Sequence, residues 1–317
     1  MNLHLLYSTS CKTTGLKRDS SIELLRLFLM LMIIIHHSIV HGMGLRGLVL
    51  DNALPMHFTA SEKLVATIIN CFCICAVNCF VLISGYFSIK TTIKKSCKFL
   101  GYVLFYTFFF NSLYYLICGE IKLSIRCLFF LSHPSYWFVN AYIYLMIFAP
   151  VLNTAFNRTS KTYLNLFLCG LIFISCYLGF IWRNPLNLDG YNLFQLILMY
   201  CIGRYIHHNH LSLSRPKSAI LYFGCSLATG GVMYLLWHSG HETLSWHMTY
   251  YNNPLIILAS IGIFFYFRSF SFENKIINKA ATSAFAIYLI QSSDLCEAFY
   301  YKWINQCHFV MGGVFGL

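Results

Sequence analysis

Nine apolar segments, separated by short polar connectors, constrain this chain more than any other feature. A helix needs about 20 mostly apolar residues to cross a bilayer, and most of the segments approach that length. They are residues 22–40, 64–89, 99–118, 136–156, 163–182, 191–206, 219–237, 254–267 and 280–293. The pattern predicts an all-α, polytopic integral membrane protein with about nine to ten transmembrane helices.

The composition excludes the soluble alternatives. Only 10% of the 317 residues are charged and 58% are hydrophobic, whereas a soluble domain carries about a quarter charged residues. A cytosolic enzyme, a secreted disulfide scaffold and a nucleic-acid-binding domain are therefore excluded. We expect one transmembrane domain over residues 1–317, with 1–20 as a cytoplasmic segment and no cleavable signal peptide. Residues 309–317 are too short to span a membrane and are expected to form a truncated last helix.

The positions of Lys and Arg orient the chain. With a cytoplasmic N-terminus, the inner segments hold 15 basic residues, the outer segments hold 6, and Arg26 within the first span completes the 22. Basic residues concentrate in cytoplasmic loops, so this asymmetry predicts that the N-terminus is cytoplasmic. The net charge of +12 is then mostly a consequence of topology, and no nucleic-acid partner is needed to explain it.

The first apolar segment differs from the others because it contains ionisable side chains. Glu23, Arg26, His36 and His37 lie within it, and His41 lies at its outer end. A charged group in a bilayer costs at least about 2.5 kcal/mol, so such groups usually face a cavity or a partner. At about 100° and 1.5 Å per residue, Arg26 and His37 share a face to within about 20° and stand roughly 16 Å apart. Glu23 can pair with Arg26 one turn away, whereas His36 points about 100° from His37.

This polar stripe leaves three functions open. Histidine is the side chain best suited to accept a proton near neutral pH, which favours an enzyme with a general base. A proton- or ion-coupled transporter is the second reading. The third is a seam that only fixes helix packing, in which case Arg26 and His37 could be replaced without loss of activity.

Four segments resemble the membrane-bound acyltransferase 3 family. Its mark is an arginine, ten intervening residues and a histidine, which Arg26 and His37 match. The other three segments are similar to the end of the family's second helix with a Ser-Gly-aromatic turn, to its fourth helix, and to a late helix that usually reads Tyr-Leu-Ile-His. The four are RDSSIELLRLFLMLMIIIHHSIVH (18–41), NCFVLISGYFS (78–88), YWFVNAYIYLMIFAPVL (136–152) and SAFAIYLIQ (283–291).

The resemblance implies an O-acyltransferase of the bacterial inner membrane. Such enzymes move an acyl group, usually acetyl, from cytoplasmic acyl-CoA to a hydroxyl of a surface polysaccharide or lipid-linked glycan. His37 would be the general base or, alternatively, would itself be acylated transiently. Glu23 would hold Arg26 in place, and His36 would be a substitute base if the helix were rotated.

The resemblance also implies where acetyl-CoA binds. The anionic donor needs a basic entrance and a path for its pantetheine arm. For each lysine at that entrance, positive-inside patterning is the competing explanation. The candidate donor-binding residues are Arg26, Lys90, Lys94, Lys95, Lys98 and Ser84, the last as a hydrogen-bond donor at the expected Ser84–Gly85–Tyr86 turn.

Some features depart from the family or compete with this reading. The usual histidine of the late segment is Gln291, which can hydrogen-bond but cannot carry a proton as imidazole does. A glycan or lipid transporter or flippase is the alternative function, although membrane-embedded charge is concentrated in one span here. We expect no metal cofactor: Cys71, Cys75 and Cys79 read as packing residues and 238–247 as a connector or acceptor-binding loop. Trp137 suits an interfacial aromatic belt or sugar stacking.

Overall fold

The protein is an all-α polytopic membrane protein. The computed structural model describes residues 19–45, 58–119 and 137–315, with the backbone alone at 294, 297–298 and 309–315, and this part of the chain contains helices and no strands. Six of its helices are long and apolar enough to cross a bilayer. These are Ser20–Gly42, Ala60–Phe87, Ile93–Cys118, Trp137–Arg158, Lys161–Ile181 and Arg215–His238.

The α-helices number fourteen in the described residues, and several continue into wider or tighter turns. The α-helices are α1 Ser20–His37, α2 Ala60–Cys73, α3 Ala76–Phe87, α4 Ile93–Cys118, α5 Trp137–Arg158, α6 Lys161–Ile172, α7 Leu193–His208, α8 Arg215–His238, α9 Glu242–His247, α10 Pro254–Arg268, α11 Lys275–Ala280, α12 Ala284–Gln291, α13 Asp294–Cys296 and α14 Lys302–Phe315. The π-helical stretches are Ser38–Gly42 after α1, Phe173–Ile181 after α6 and Glu297–Tyr301 before α14, and the 3₁₀ turns are Pro185–Asn187 and Ala281–Ser283.

The structure does not confirm the predicted count of nine to ten spanning helices. Helix α7 has 16 residues and α10 has 15, so both fall short of an untilted crossing. The predicted span 280–293 is divided between the 3₁₀ turn Ala281–Ser283 and the eight-residue α12. The count therefore stays a prediction beyond the six long helices.

The C-terminal region corrects one expectation. Residues 309–315 belong to α14, which follows the π-helical stretch Glu297–Tyr301 and α13 in one nearly continuous helical run. They do not form a separate short piece, and residues 316–317 lie outside the described part. Hydropathy placed the start of this helix too late because Lys302, Asn305 and His308 interrupt its apolar residues.

Close backbone contact between α3 and α7 fixes the centre of the bundle. A Cβ atom added to Gly85 would overlap the Tyr200 carbonyl oxygen, and one added to Gly203 would overlap the Leu82 carbonyl oxygen. Helices approach this closely in membranes where small residues remove the side-chain spacer. Gly85 is thus required by packing against α7, and the Ser84–Gly85–Tyr86 segment lies inside α3 and forms no turn.

One end of the bundle, here called the basic end, collects the connectors that were predicted to be cytoplasmic. Ser20 Oγ donates to Asn278 Oδ1 over 2.9 Å, and Arg268 Nε donates to the Tyr86 hydroxyl over 3.2 Å. Residues 19–20, 86–90 and 268–278 therefore lie on the same side. Of the basic residues used to predict topology, Lys12, Lys17, Arg18, Arg46, Lys122 and Arg126 lie outside the described residues.

Candidate active site

A narrow apolar pocket lies between α1, α3, α4, α5 and α12. Its volume is about 70 Å³, which is room for roughly five water-sized groups. The pocket wall is almost wholly apolar, and its polar side chains include two that the sequence singled out. The lining residues that matter here are Arg26, Ile33, Ser84, Phe138, Tyr142 and Tyr288.

The pocket follows the predicted stripe of α1. Arg26, Met30 and Ile33 line it, and these positions recur at the spacing of one helix face. They cover roughly 10 Å along the helix axis, at about 1.5 Å per residue. His37 continues the same face one turn beyond Ile33. The pocket therefore runs from Arg26, nearer the basic end, towards the turn that carries His37.

Arg26 and Glu23 form the ion pair that the sequence predicted. Arg26 Nη1 lies 2.9 Å from Glu23 Oε1, and the two side chains are only 9% and 14% exposed. A buried guanidinium paired in this way has its charge partly neutralised and its position fixed. Arg26 keeps its place on the pocket wall in this pair, where it can contact a bound ligand.

Ser84 takes part in the pocket through a helical rather than a turn position. Its hydroxyl donates to the Phe80 carbonyl oxygen over 2.9 Å and lies 3.2 Å from the Tyr142 hydroxyl. The Ser84–Tyr142 contact joins α3 to α5 across the pocket. Two hydroxyls side by side give an otherwise apolar wall one site that can donate a hydrogen bond.

The two adjacent histidines of α1 have different surroundings. His36 is buried, and its Nδ1 lies 2.6 Å from Asn70 Oδ1 on α2. His37 is half-buried and makes no hydrogen bond within the described part of the chain. Its ring lies between those of His36 and His41, with centroids 5.3 and 5.4 Å away and the rings tilted or edge to face. His37 is thus held less tightly than His36, which contacts α2, and the role of His36 as a substitute base stays a prediction.

The helix changes form directly after His37. Ser38–Gly42 is π-helical, and such wide turns often accompany functional sites. The Ser38 hydroxyl lies 2.9 Å from that of Tyr300. A Cβ on Gly42 would lie 2.7 Å from Ile304 Cγ2, so only glycine lets the C-terminal helix pack this closely. The C-terminal helix therefore supports the turn that presents His37.

Gln291 lies beside the same turn of α1. Its Nε2 donates to the Ile33 carbonyl oxygen over 3.4 Å, and the side chain is buried. Within the described residues, its Oε1 has no hydrogen-bond partner. The position that usually holds histidine in the resembling family is thus adjacent to the His37 turn, and the amide there retains one buried acceptor.

The predicted lysines lie at the basic end, outside the pocket wall. Lys94 and Lys98 are exposed and Lys95 is half-buried on the first turns of α4. Lys95 stands one turn before Phe99, which lines the pocket. Lys90 is exposed in the preceding connector. Lys95 Nζ donates to the Lys90 carbonyl oxygen over 3.4 Å, and the donor-binding role of all four lysines stays a prediction.

At the opposite end, Trp137 and His247, for which the sequence allowed more than one role, are packed into the protein. Trp137 stacks on the buried Tyr251, with centroids 5.7 Å apart. His247 is buried, its Nε2 lies 2.7 Å from the Phe180 carbonyl oxygen, and its ring stacks on that of Phe180. In the described part of the chain, no three His, Cys, Asp or Glu side chains are grouped to hold a metal ion.

Two neighbours of the site were missed from the sequence. Asn70, which contacts His36, is a lone amide in an apolar helix, and such residues usually have a helix–helix partner. That signal was available. Tyr142, which contacts Ser84, stands among many aromatic residues and carries no distinguishing signal.

Fold and site together define a polytopic membrane protein whose first helix carries an ion pair and an accessible histidine along an apolar pocket. Among protein-family models, the one described as an acyltransferase domain (acyltransferase 3) matches residues 19–316. The chain belongs to the acyltransferase 3 family and is a membrane acyltransferase. Comparison with curated proteins and with solved structures gave no match.

Proposed function

We propose that the protein is an acetyl-CoA-dependent O-acetyltransferase that acetylates a hydroxyl of a surface polysaccharide or lipid-linked glycan. The observation that carries this proposal is the arrangement on α1: Arg26 lies on the wall of a narrow apolar pocket, and His37 lies on the same face one turn beyond it. Transfer from acyl-CoA needs a cation for the CoA phosphates, an apolar channel for the pantetheine arm and, at its far end, a base for the acceptor hydroxyl.

The pocket suits a thin, mostly uncharged chain. Arg26 and the lysines of the basic end would attract the phosphates of CoA, and the pantetheine arm would extend between α1 and α3 towards His37. The Ser84 and Tyr142 hydroxyls would hydrogen-bond to an amide of that arm.

His37 would act as the general base. As the acceptor oxygen bonds to the thioester carbonyl carbon, His37 takes the hydroxyl proton. The carbon–sulfur bond then breaks, and the proton passes to the CoA thiolate. A positioned base of this kind contributes about 10²–10⁴-fold in rate. The absence of a hydrogen bond to the His37 ring within the described residues leaves its nitrogens available for the acceptor hydroxyl.

The membrane arrangement that fits this chemistry has a cytoplasmic N-terminus and the basic end facing the cytoplasm, where acyl-CoA is found. The chain would act as a single domain in the bacterial inner membrane, with α7, α10 and the 280–293 region completing nine to ten crossings. His37, at the far end of α1, would then meet a glycan or lipid-linked sugar from the outer side.

The test is the O-acetyl content of surface glycan in host cells that carry the wild-type gene, a deletion or His37→Ala. Leu31→Ala, which shortens an exposed side chain of the same helix away from the pocket wall, is the control. We expect acetate to disappear in the deletion and in His37→Ala at normal membrane levels of protein, and to persist in Leu31→Ala. If the deletion shortens the glycan but leaves acetate per sugar unchanged, the protein transports or builds glycan instead.

A further inference from the structure

Arg204, on the last turns of α7 at the basic end, is a buried cation with no ion pair among the described residues. Its residue surface is 7% exposed, and its buried Nε has no hydrogen-bond partner in the described part of the chain. The ion pairs among the described residues involve Arg26 and Arg268 instead. A buried N–H that loses water without gaining an acceptor costs free energy, so a ligand that supplies an acceptor to the Arg204 Nε would bind favourably.

The chain has no spare acid at this end to neutralise Arg204. Of its ten Asp and Glu residues, the predicted inner segments and the start of α1 contain three, Asp19, Glu23 and Glu273. Glu23 pairs with Arg26, Asp19 lies 3.7 Å from Arg268, and the interactions of Arg204 do not include Glu273. Residues 1–18 contain no Asp or Glu. Among the described residues no carboxylate therefore pairs with Arg204, which leaves it available to an anion from outside the chain.

The surroundings of Arg204 are rigid and positive. One turn earlier on α7, the Tyr200 hydroxyl accepts from the Ile89 backbone N–H over 3.1 Å and donates to Asn153 Oδ1 over 2.7 Å. These bonds fix the connector that carries Lys90 against α7. A planar guanidinium on the same helix end as this connector suits a tetrahedral oxyanion that accepts two parallel N–H bonds.

We propose that Arg204 binds a phosphate group of the acyl-CoA donor. This inference rests on the proposed function, since it takes acyl-CoA as the anion that reaches the basic end. It adds a donor-binding residue on α7 to those on α1 and α4, and it places the phosphates between the α3–α4 connector and α7. A lipid headgroup phosphate offers the same chemistry, and the test separates the two sources.

The experiment measures the affinity of the purified full-length protein for CoA, 3′-dephospho-CoA and pantetheine in nanodiscs of phosphatidylcholine. The variants are Arg204→Gln and Arg204→Lys, and the control is Arg158→Gln, which removes an exposed cation at the same end. We expect Arg204→Gln to weaken CoA binding about 10- to 100-fold, the range for a charged hydrogen-bonded contact. The loss should vanish for pantetheine, which lacks phosphates, and Arg158→Gln should change affinity less than about threefold.

Several results would overturn the inference. One is equal CoA affinity in Arg204→Gln and Arg158→Gln, and another is an equal loss for pantetheine, which indicates structural damage. A third is that Arg204→Gln binds CoA as tightly as the wild type, while only the wild type loses stability when phosphatidylcholine is replaced by detergent. The anion at Arg204 would then be a lipid headgroup. If Arg204→Gln does not fold, Arg204→Lys provides the test. Its affinity for CoA should fall a few-fold, and its affinity for pantetheine should not change. Failure of the wild type to bind CoA at all would instead refute the proposed function.

Discussion

Replacing Glu23 by Gln tests how the polar stripe of α1 is held together. Glu23 Oε1 lies 2.9 Å from Arg26 Nη1, and the side chains of Glu23 and Arg26 are 14% and 9% exposed. At such burial, attraction between charges about 4 Å apart amounts to roughly 4 kcal/mol with an effective dielectric constant of about 20. Removing one partner leaves the other charge buried, which typically costs about 3–5 kcal/mol. We expect Glu23→Gln to lower the free energy of unfolding by about 3 kcal/mol.

The exposed ion pair of the same region supplies the control. Asp19 Oδ2 lies 3.7 Å from Arg268 Nη1, with the side chains 32% and 44% exposed. Asp19 also caps α1 by accepting from the Ser21 N–H, and Asn preserves that cap. Asp19→Asn should therefore cost at most about 1 kcal/mol. The difference between the two substitutions isolates the effect of burial.

A double substitution separates stability from activity. In Glu23→Gln/Arg26→Gln both charges are gone, so the penalty for an unpaired ion disappears and the losses should fall short of additivity by about 2 kcal/mol. Acyl transfer should nevertheless be lost, because Arg26 lines the pocket. The assay is reversible denaturation in mixed micelles, with transfer measured on the same samples. Additive losses, or Glu23→Gln as stable as Asp19→Asn, would refute the reasoning.

Two further predictions concern packing and pH. Gly85→Ala should destabilise the protein by at least about 1–3 kcal/mol, because the new methyl group meets a backbone carbonyl of α7. Gly101→Ala, which has nothing within 4 Å of the new methyl group, should be neutral in the same denaturation assay. Burial lowers the pKa of His247, the Phe180 carbonyl opposes this and Arg183 adds to it. Below about pH 6.5 the unfolded chain therefore binds more protons than the folded protein, and the free energy of unfolding decreases as the pH is lowered. His247→Phe should reduce the drop in melting temperature between pH 7.5 and pH 5.5. An equal drop in the variant and the wild type would contradict the assignment to His247.

The sequence predicted what depends on one helix alone. The Glu23–Arg26 pair follows from the helical period, as does the shared face of Arg26 and His37. What failed depended on partners distant in sequence. The family resemblance implied a turn at residues 84–86, but Gly85 lies inside α3 and is needed for contact with α7. The anchoring of His36 by Asn70 required knowing which face of α2 meets α1.

Residue burial was the second property that could not be predicted from the sequence. Arg204 lies near the end of the predicted span 191–206, and only the packing of α7 shows it to be 7% exposed. The last helix was predicted to begin too late, because polar residues lower the hydropathy of its first half. The C-terminal helical run nevertheless contacts Ser38 and Gly42 and so supports the His37 turn.

Transfer of labelled acetyl from acetyl-CoA in inverted membrane vesicles of the host tests the central claim most directly. In these vesicles the cytoplasmic face is outermost and the native acceptor is present. We predict that wild-type vesicles incorporate label into glycan or lipid-linked sugar, that His37→Gln lowers incorporation at least about 100-fold, and that Leu31→Ala, at an exposed position of the same helix, leaves it unchanged. Full incorporation with His37→Gln, at matched protein levels, would contradict the assignment of His37 as the base.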